Sequence, residues 1–259
     1  KSLIFPRAGN LMIQTKKNKL FKTLIKLLFR TSDLFLCQGP VWYKYAINDL
    51  KVDKARAEII NNWTATSELI KVGKERLISD KESLEIIFVG WLERQKGINE
   101  LIKVFHKLQK KYEIKIKFIG DGSLKKKIDE YSVKNNLQNY ITTLGWVNND
   151  EILKKLKSAD IFVLPSWQEG MPNSLIEALA AGLPSICSSV GSIPDYIYHN
   201  HNGLLIEPKN QLDLEKNLEK LIKDVDLRKK LSKNAVMIAE KEFSSDVSLK
   251  KLSMLIKSI

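Results

Sequence analysis

Two glutamates, Glu169 and Glu177, stand eight residues apart in the segment EGMPNSLIEALAAGLP and are well suited to binding chemistry. The first lies in a loop of glycine and proline, and the second lies on the helix predicted to follow. A carboxylate accepts hydrogen bonds from two hydroxyl groups at once, which suits a sugar or a ribose diol. The pair therefore predicts a site for a ligand that carries sugar hydroxyls.

A strand, a loop and a helix must position these glutamates. The apolar run ADIFVLPS, residues 159–166, predicts a buried strand. Pro172 suits the first helical position because its missing N–H would be unpaired there, and Gly182 followed by Pro184 is a helix stop. The free N–H groups and the positive end of the helix dipole would favour a phosphate in the loop. The alternative is that Glu177 faces solvent on an amphipathic helix.

Size and composition limit the class of protein. The 259 residues are 44% hydrophobic, enough for one large domain or for one complete and one partial domain. The two cysteines, Cys37 and Cys187, lack a metal-binding spacing and fit a cytoplasmic protein. No apolar run reaches the roughly 18 residues that a membrane-spanning helix needs.

The net charge of +13 is unevenly distributed. Residues 1–80 carry 15 basic and 7 acidic side chains, against 28 and 23 in residues 81–259. Such a field attracts phosphates, acidic lipids or nucleic acid. No nucleic-acid recognition motif or aromatic-basic platform is present, so we expect no nucleic-acid partner.

Strands alternate with helices from about Leu84. Strands are predicted at residues 84–90, 114–122, 140–145, 159–166, 184–189 and 203–207. Helices are predicted between them at residues 98–112, 123–134, 149–158, after Pro172, and at 193–198. The alternation predicts an α/β fold with a parallel sheet covered on both faces and a ligand site at the carboxyl ends of the strands.

The flanking regions are less regular. Residues 1–80 contain two predicted strands, SLIFP and DLFLC, with a basic helix over residues 18–29 between them. Two strands do not make a stable open sheet, so we expect this region to be a fragment of a larger domain. Residues 211–259 predict two or three helices, interrupted at EKEFSS.

Six segments occur in the order of a known family: FVGWLERQKGI, FIGDGSLKKKI, ITTLGWVNNDEI, LKSADIFVLPSWQEGMPNSLIEALAAGLP, SSVGSIPDYI and NGLLIEP. From Leu84 to Pro208 the chain resembles the donor-binding domain of family-four retaining glycosyltransferases (glycosyltransferase group 1). This family has the GT-B fold of two Rossmann-like domains. The resemblance implies a truncated acceptor domain in residues 1–80, a nucleotide-sugar domain in 81–240, and a C-terminal helix in 241–259 that packs back on the N-terminal domain.

The resemblance also assigns roles to individual residues. Glu169 would contact the transferred sugar, Glu177 would hold the ribose, and Lys96 would neutralise the diphosphate leaving group as negative charge develops on it. The base is expected near Val147. Further donor-binding residues are expected at Gly90, Trp91, Arg94, Gly120, Gly122, Trp146, Gly170, Met171, Pro172, Asn173 and Ser174. No metal ion and no cofactor besides the sugar donor is implied.

One departure from the family concerns a second diphosphate cation. The family often has Gly-Arg-Leu where this chain has Gly90-Trp91-Leu92. Either Arg94 replaces the missing cation or Trp91 stacks on a donor group. The alternative for Arg94 is an ordinary solvated loop charge.

The resemblance predicts a retaining enzyme that moves a hexose from a UDP- or GDP-sugar to a glycan or lipid-linked glycan acceptor. The Lys and Ile content suggests bacterial polysaccharide biosynthesis. The family's acceptor-facing glycine loop and histidine have no counterpart, so the chain alone is expected to bind donor without catalysing transfer. The alternatives are a nucleotide-sugar epimerase of GT-B fold and a non-catalytic nucleotide-sugar binding module. A nicotinamide dehydrogenase is excluded because no GxGxxG follows a strand.

The basic helix of the N-terminal region has a second interpretation. Between Asn18 and Arg30, three lysines and an arginine stand beside the apolar side chains of Leu20, Phe21, Leu24, Ile25, Leu27 and Leu28. Such a helix can lie on an anionic membrane, which would place the protein on the inner face of the cell membrane. The alternative is an ordinary helix with its apolar face in the core.

Overall fold

A computed structural model describes residues 1–6 and 10–258 of the chain. Within these residues nine strands form two parallel sheets. The small sheet consists of β1 (Leu3–Ile4), β2 (Leu34–Cys37) and β3 (Ala57–Ile59). The large sheet consists of β4 (Leu84–Val89), β5 (Ile114–Ile119), β6 (Ile141–Gly145), β7 (Ile161–Leu164), β8 (Ser185–Ser188) and β9 (Leu204–Ile206).

Twelve α-helices accompany the sheets in the described part of the chain. The helices of the N-terminal region are α1 (Asn10–Lys17), α2 (Lys19–Arg30), α3 (Pro40–Asn48) and α4 (Ser67–Lys74). Those between the strands of the large sheet are α5 (Ile98–Gln109), α6 (Lys125–Lys134), α7 (Asn149–Ser158), α8 (Asn173–Ala180) and α9 (Ile193–Tyr196). The C-terminal helices are α10 (Gln211–Lys223), α11 (Val225–Phe243) and α12 (Ser245–Ser258).

The large sheet reverses its strand order at its centre. Its strands lie in the order β6-β5-β4-β7-β8-β9, so the chain builds one half outward from β4 and the other half outward from β7. This is the strand order of a doubly wound nucleotide-binding sheet, in which ligands bind outside the carboxyl ends of the strands at the reversal. The loops after β4 and β7 therefore frame a crevice, and they carry Lys96 and Glu169.

The elements predicted for the large sheet are all present, with bounds that differ by a few residues. Strands β7 and β8 are buried along their whole length, as a continuous apolar run in a covered parallel sheet requires. The largest differences are that β5 ends at Ile119, where Gly120 begins a loop, and that α5 ends at Gln109 rather than residue 112.

The N-terminal region holds more regular structure than its sequence predicts. Its two predicted strands and its basic helix are present, but α1, α3, α4 and β3 were not predicted, so the small sheet has three strands rather than two. Strand β3 is three residues long, too short for an alternating pattern to be recognised. Helix α3 contains three aromatic residues with only modest helix propensity. Residues 7–9, in the region that the resemblance assigns to the truncated acceptor domain, and Ile259, in the predicted C-terminal helix, lie outside the described residues.

Two hydrophobic clusters and a returning helix organise the packing. The cluster around the large sheet begins at Ala65 and extends to Phe243, whereas the main cluster of the small sheet contains Phe35 and Trp42. The C-terminal helix α12 packs its partly buried leucines on the other face of the small sheet, and Lys251 Nζ donates to the Ile59 carbonyl at 2.8 Å. The domain boundaries at residues 80 and 240 stay predictions.

Candidate active site

The residues predicted to bind a donor lie in four loops at the carboxyl ends of the large sheet. The loop after β4 carries Gly90, Trp91, Arg94 and Lys96; the loop after β5 carries Gly120 and Gly122; the end of β6 leads to Trp146 and Val147; and the loop after β7, with the start of α8, carries Glu169 to Ser174. Glu177 follows on α8 itself. The fold thus brings residues from distant parts of the sequence to one edge of one sheet.

An ion pair joins the two loops that frame the crevice. Lys96 Nζ lies 2.7 Å from Glu169 Oε1, and the two side chains are only 18% and 8% exposed. The Ser166 hydroxyl donates to the same carboxylate oxygen at 2.7 Å, which fixes the rotamer of Glu169. The backbone N–H of Trp167 donates to the Gln95 carbonyl at 2.7 Å and links the backbones of the two loops. A cation and a carboxylate are thereby held side by side at the mouth of the sheet.

The carbonyl groups of the Glu169–Met171 loop are turned toward the protein. The Ser192 N–H donates to the Gly170 carbonyl at 2.9 Å, and Asn62 Nδ2 donates to the Met171 carbonyl at 2.9 Å. Gly191 lies against the Glu169 and Gly170 carbonyls with a φ of +59°, and an added Cβ there would collide with both oxygens. Only glycine fits this close approach.

Peptide geometry then sets the direction of the loop's N–H groups. In a planar trans peptide the N–H points opposite to the C=O, and the described chain has no cis peptide bond. The N–H groups of Gly170 and Met171 therefore point away from Gly191 and Ser192, and neither has a hydrogen-bond partner among the described residues. A Cβ added at Gly170 would meet no atom within 4 Å. The loop presents two free donors to open space.

Helix α8 begins beside these donors without a capping side chain. Helices α2, α4, α7, α10 and α11 each begin with an Asn, Thr or Asp whose oxygen accepts a backbone N–H, whereas Pro172 at the start of α8 has no such oxygen. Pro172 itself precedes the helix, with an extended ψ of 128°, so the prediction that it occupies the first helical position is wrong by one residue. The uncapped N–H groups add to the positive potential of the loop.

Glu177 lies in a low-dielectric environment on α8. It shares the less buried side of this helix with Asn173 and Ser174, while the intervening apolar side chains are fully buried. Its carboxylate makes no hydrogen bond or ion pair with the described residues. Burial therefore raises the pKa of the Glu177 carboxyl from its ordinary 4.5 to about 7. A carboxyl that is buried and unpartnered in this way is suited to receive hydroxyl groups from a ligand.

Glycine and tryptophan shape the other side of the crevice. Gly120 has a φ of +130°, and an added Cβ would collide with the Gly90 carbonyl, so the loops after β4 and β5 pack backbone to backbone. The indole rings of Trp91 and Trp146 meet edge to face with centroids 5.0 Å apart, and both remain more than half exposed. Val147 is half-buried beside them. The exposed ring faces are apolar surfaces on which a planar ligand group can stack.

The ring of Trp167 lies close to two cationic side chains that are far apart in the sequence. The Arg94 guanidinium lies 5.4 Å from the centre of its ring, and Lys209 Nζ lies 4.7 Å from it. Arg94 is exposed, as a solvated loop charge would be, but it is held at the side of the crevice that Lys96 occupies. Lys209 has a φ of +65°, which is uncommon for a side-chain-bearing residue.

Several site residues were missed by the reasoning from sequence. They are Ser166, Trp167, Gly191, Ser192, Lys209 and Asn62. The pair Asn61-Asn62 after a short apolar run was an available signal, because buried amides at the end of a strand are usually hydrogen-bonded across to another segment. Among the described residues, no group of three or more His, Cys, Asp or Glu side chains is arranged to hold a metal ion.

Comparison with known proteins identifies the class to which this site belongs. Residues 71–236, more than half of the chain, match the family model of glycosyl transferases group 1. The chain belongs to the group 1 glycosyltransferase family. It is an enzyme family of sugar transferases, in agreement with the resemblance of the six segments.

Individual relatives support the same assignment. The chain is 34% identical over 229 residues to an uncharacterized glycosyltransferase of Methanocaldococcus jannaschii, covering 88% of this chain and 59% of the relative. It is 35% identical over 159 residues to a Campylobacter jejuni protein named GalNAc-alpha-(1->4)-GalNAc-alpha-(1->3)-diNAcBac-PP-undecaprenol alpha-1,4-N-acetyl-D-galactosaminyltransferase, covering 60% of this chain and 43% of the relative. The chain thus spans about half the length of these relatives.

A solved structure of the Anabaena protein HepE in complex with UDP and glucose superposes with a TM-score of 0.78 and 16% sequence identity. The match covers 99% of this chain and 71% of that chain. At this identity the likeness concerns the fold, which is of the GT-B type. The small sheet and the large sheet correspond to parts of its two Rossmann-like domains.

Replacement of Glu177 by glutamine is expected to stabilise the protein at high pH. Because the folded-state pKa is raised, the penalty for the ionised carboxyl is fully present above about pH 7 and is absent below about pH 4.5. Glu177→Gln removes this penalty and should raise the free energy of unfolding by up to about 3 kcal/mol above pH 7, with little gain near pH 4.5. Urea unfolding at about pH 5 and pH 8.5 measures the difference.

The matched control is Glu130→Gln, which changes an exposed carboxyl on α6 and should alter stability by less than about 0.5 kcal/mol at either pH. A gain from Glu177→Gln that is equal at both pH values would contradict the burial of an ionisable carboxyl at this position.

Proposed function

We propose that the protein transfers a hexose from a nucleoside diphosphate sugar, with retention of configuration, to a glycan or lipid-linked glycan acceptor in polysaccharide biosynthesis. The observation that carries the proposal is the pairing of Lys96 with Glu169 beside two unpartnered loop N–H groups at the sheet's strand-order reversal. This arrangement offers positive potential to a diphosphate and a carboxylate to the sugar next to it.

The diphosphate would occupy the most positive part of the crevice. Lys96, the N–H groups of Gly170 and Met171, and the uncapped start of α8 all favour an anion there. Their positions are fixed before a ligand binds, so no reorganisation is needed as the leaving group gains negative charge. We therefore propose that this protein needs no cofactor besides the donor, and that Lys96 with the backbone donors balances the charge of the departing diphosphate.

Donor binding would exchange the partners of the ion pair. In the free protein Glu169 neutralises Lys96 at 2.7 Å. A bound diphosphate would attract Lys96, and the released oxygens of Glu169 would accept hydroxyl groups of the transferred sugar. The Ser166 hydroxyl bond would keep the carboxylate in place during the exchange. The acceptor hydroxyl would then enter on the face from which the diphosphate leaves, which is the geometry of retention.

The nucleoside would lie between Glu177 and the tryptophan side of the crevice. An ionised Glu177 can accept both hydroxyls of a ribose, and hydroxyl donors bound to it would lower its pKa again. The base would lie near Val147, where Trp146 offers a ring face. UDP and GDP are the two nucleotides we expect. Arg94, held over Trp167, stays the candidate for a second diphosphate cation, with a solvated charge as its alternative.

Two other functions remain as alternatives, each with a different observable. A nucleotide-sugar epimerase of GT-B fold would change the configuration of the donor sugar when no acceptor is present. A non-catalytic module would bind the nucleotide and transfer nothing, whatever acceptor is offered. The carboxylate at Glu169, ion-paired and oriented toward a sugar position, favours transfer over either alternative.

Nucleotide binding tests the donor site directly. Titration calorimetry with UDP, GDP and ADP is expected to show binding of UDP or GDP, and Glu177→Gln should weaken that binding about tenfold, because an amide has one acceptor oxygen where the carboxylate has two. The affinity of the unaltered protein should increase as the pH rises through about 7, where Glu177 ionises, and that of the variant should not. Glu130→Gln is again the control.

Absence of binding to all three nucleotides, or equal binding by Glu177→Gln, would contradict the donor site. For the test of transfer, the chain is joined to the acceptor half that the resemblance implies and is incubated with a UDP- or GDP-hexose, with and without a glycan acceptor. Transfer, acceptor-independent isomerisation or neither then separates the three functions.

We also propose peripheral membrane association through α2, with the protein in the cytoplasm on the inner face of the membrane. Four leucines of this helix, at spacings of three and four residues, are 58–81% exposed: Leu20, Leu24, Leu27 and Leu28. The inward side is a different one, on which Phe29 is buried and Ile25 packs against the core of the small sheet. Residues 10–30 contain six Lys and Arg and no Asp or Glu. No helix in the described part is long and apolar enough to cross a membrane.

An anionic bilayer would match both properties of the exposed face of α2, namely its leucines and the positive charge around them. Exposed leucines gain free energy on entering the acyl boundary, and the surrounding cations are attracted to acidic headgroups. A lipid-linked acceptor would be reached from the same surface. The apolar face in the core, which was the alternative for this helix, accounts for its inward side but leaves the exposed leucines unexplained.

Co-sedimentation with vesicles tests this association. We expect the protein to bind vesicles of mixed phosphatidylglycerol and phosphatidylcholine, to bind pure phosphatidylcholine weakly, and to be released by salt. The double substitution Leu24→Ser with Leu28→Ser should weaken binding about tenfold or more. The matched control is Leu77→Ser with Leu212→Ser, which changes two leucines that are 92% and 76% exposed elsewhere on the protein. Equal loss in both variants, or no binding by the unaltered protein, would indicate that another protein surface covers α2.

A further inference from the structure

Asn62 is a buried amide that connects the N-terminal sheet to the donor loop. It follows β3, is 5% exposed, and has polar partners on two separate parts of the chain. Its Nδ2 donates to the Met171 carbonyl at 2.9 Å and to Asn173 Oδ1 at 2.8 Å. Its Oδ1 accepts from Gln38 Nε2 at 3.2 Å. Gln38 follows directly after β2, so the small sheet fixes the direction in which the amide points.

The two hydrogens of this amide hold the end of the loop that presents the free donors. Ser192 and Gly191 fix the Glu169 and Gly170 carbonyls from within the large sheet, whereas Asn62 fixes the Met171 carbonyl from the other side. The Thr64 hydroxyl adds a longer bond, 3.5 Å, to the Asn173 carbonyl. The loop is thus held between the two sheets, and Asn62 is its principal contact on the N-terminal side.

Only an amide side chain of this length satisfies the two oxygens and the Gln38 donor together. A carboxylate at position 62 would place negative charge against the Met171 carbonyl and beside the proposed diphosphate position. A methyl group would leave the Met171 carbonyl and the Gln38 amide buried without these bonds, and the loop could then rotate its peptides. The Met171 carbonyl belongs to the Met171–Pro172 peptide, which has no N–H. Its rotation would therefore turn Pro172 and the uncapped N–H groups of Asn173 and Ser174 that follow it at the start of α8.

We propose that Asn62 is a positioning residue for the diphosphate of the donor, through which the N-terminal sheet holds the uncapped N–H groups at the start of α8. The inference rests on the proposed function of the same crevice. Asn62 touches no substrate group in this scheme; it acts through Met171 and Asn173. Its effect should therefore fall on the diphosphate and not on the ribose, which Glu177 would hold from a part of α8 that Asn62 does not contact.

Comparison of two ligands separates this role from general support of the fold. Dissociation constants of UDP and UMP, or of GDP and GMP if the guanine nucleotide is bound, are measured for the unaltered chain, Asn62→Ala and Asn62→Asp. We expect the diphosphate to bind about tenfold more weakly in Asn62→Ala, and more weakly still in Asn62→Asp. The monophosphate should change by less than about twofold. Equal weakening of both ligands, or of neither, would overturn the proposal.

Asn61→Ala is the matched control. Asn61 is the same residue type on the same segment, but its side chain accepts from the Tyr196 hydroxyl at 2.6 Å and donates to the Glu242 carbonyl at 3.0 Å, away from the donor loop. Its substitution should lower the melting temperature and leave the ratio of the two dissociation constants unchanged. A changed ratio in Asn61→Ala would show that any loosening of this segment suffices, and would overturn a specific role for Asn62.

A second measurement needs no ligand and distinguishes this inference from the proposed function. NMR order parameters of the Asn173 and Ser174 N–H groups are expected near 0.85 in the unaltered chain and below about 0.6 in Asn62→Ala, with the interior of α8 unchanged. Unaltered order at the start of α8 would overturn the role of Asn62 even if nucleotides bind. Failure of every nucleotide to bind the unaltered chain would instead remove the donor site, and the order at the start of α8 would still decide whether Asn62 positions it.

Discussion

The direction of three successive carbonyl groups, from Glu169 to Met171, is the constraint on which the rest of the site depends. Gly191 leaves room for the first two, and the Ser192 N–H and the Asn62 amide bind the second and third. Because a trans peptide is planar, fixing the Glu169 and Gly170 carbonyls also fixes the N–H groups of Gly170 and Met171, and they point into the crevice. The Met171 carbonyl shares its peptide with Pro172 and so fixes the start of α8. The backbone thereby supplies donors that cannot turn away, and the uncapped start of α8 lies next in sequence.

The charged side chains of the proposed donor site would have different partners in the free protein and in the complex with the donor. Glu177 is buried without a counterion, which raises its pKa to about 7 and makes its ionised form costly. Lys96 has a partner, but that partner is a carboxylate that the proposed donor would need for its sugar. The unpartnered Glu177 lowers the stability of the free protein above about pH 7, and hydroxyl groups of a bound ligand would relieve this penalty. The Lys96–Glu169 pair is already satisfied, so a donor would have to exchange its partners.

The sequence was sufficient for the elements that follow simple periodic rules. Continuous apolar runs and helical spacing located the strands and helices of the large sheet, and the glycine-proline loop between two glutamates predicted the candidate site. Strand β3 and helices α1, α3 and α4 were missed because short or aromatic-rich segments carry weak periodic signals. These segments are ordered by packing against the rest of the fold, and that packing involves residues far away in the sequence.

Some contacts of the site could likewise be predicted from the sequence, and others could not. The sequence placed Lys96 and Glu169 in one site, and the structure joins them in an ion pair, whereas the roles that the resemblance assigns to them stay predictions. The stacking of Lys209 on Trp167, and the reach of Asn62 across to Met171, join residues separated by 42 and 109 positions. No local pattern encodes such contacts; they result from the order of strands at the sheet edge and from the packing of one sheet against the other.

A crystal structure of the chain with its nucleotide and a hexose donor is the most direct measurement of this account. The account predicts a diphosphate oxygen within about 3.2 Å of Lys96 Nζ and of the Gly170 or Met171 N–H, with Glu169 released to the sugar and Glu177 on the ribose. A nucleotide bound at another surface, or a diphosphate in the crevice with the Lys96–Glu169 pair intact and the loop N–H groups unoccupied, would contradict it.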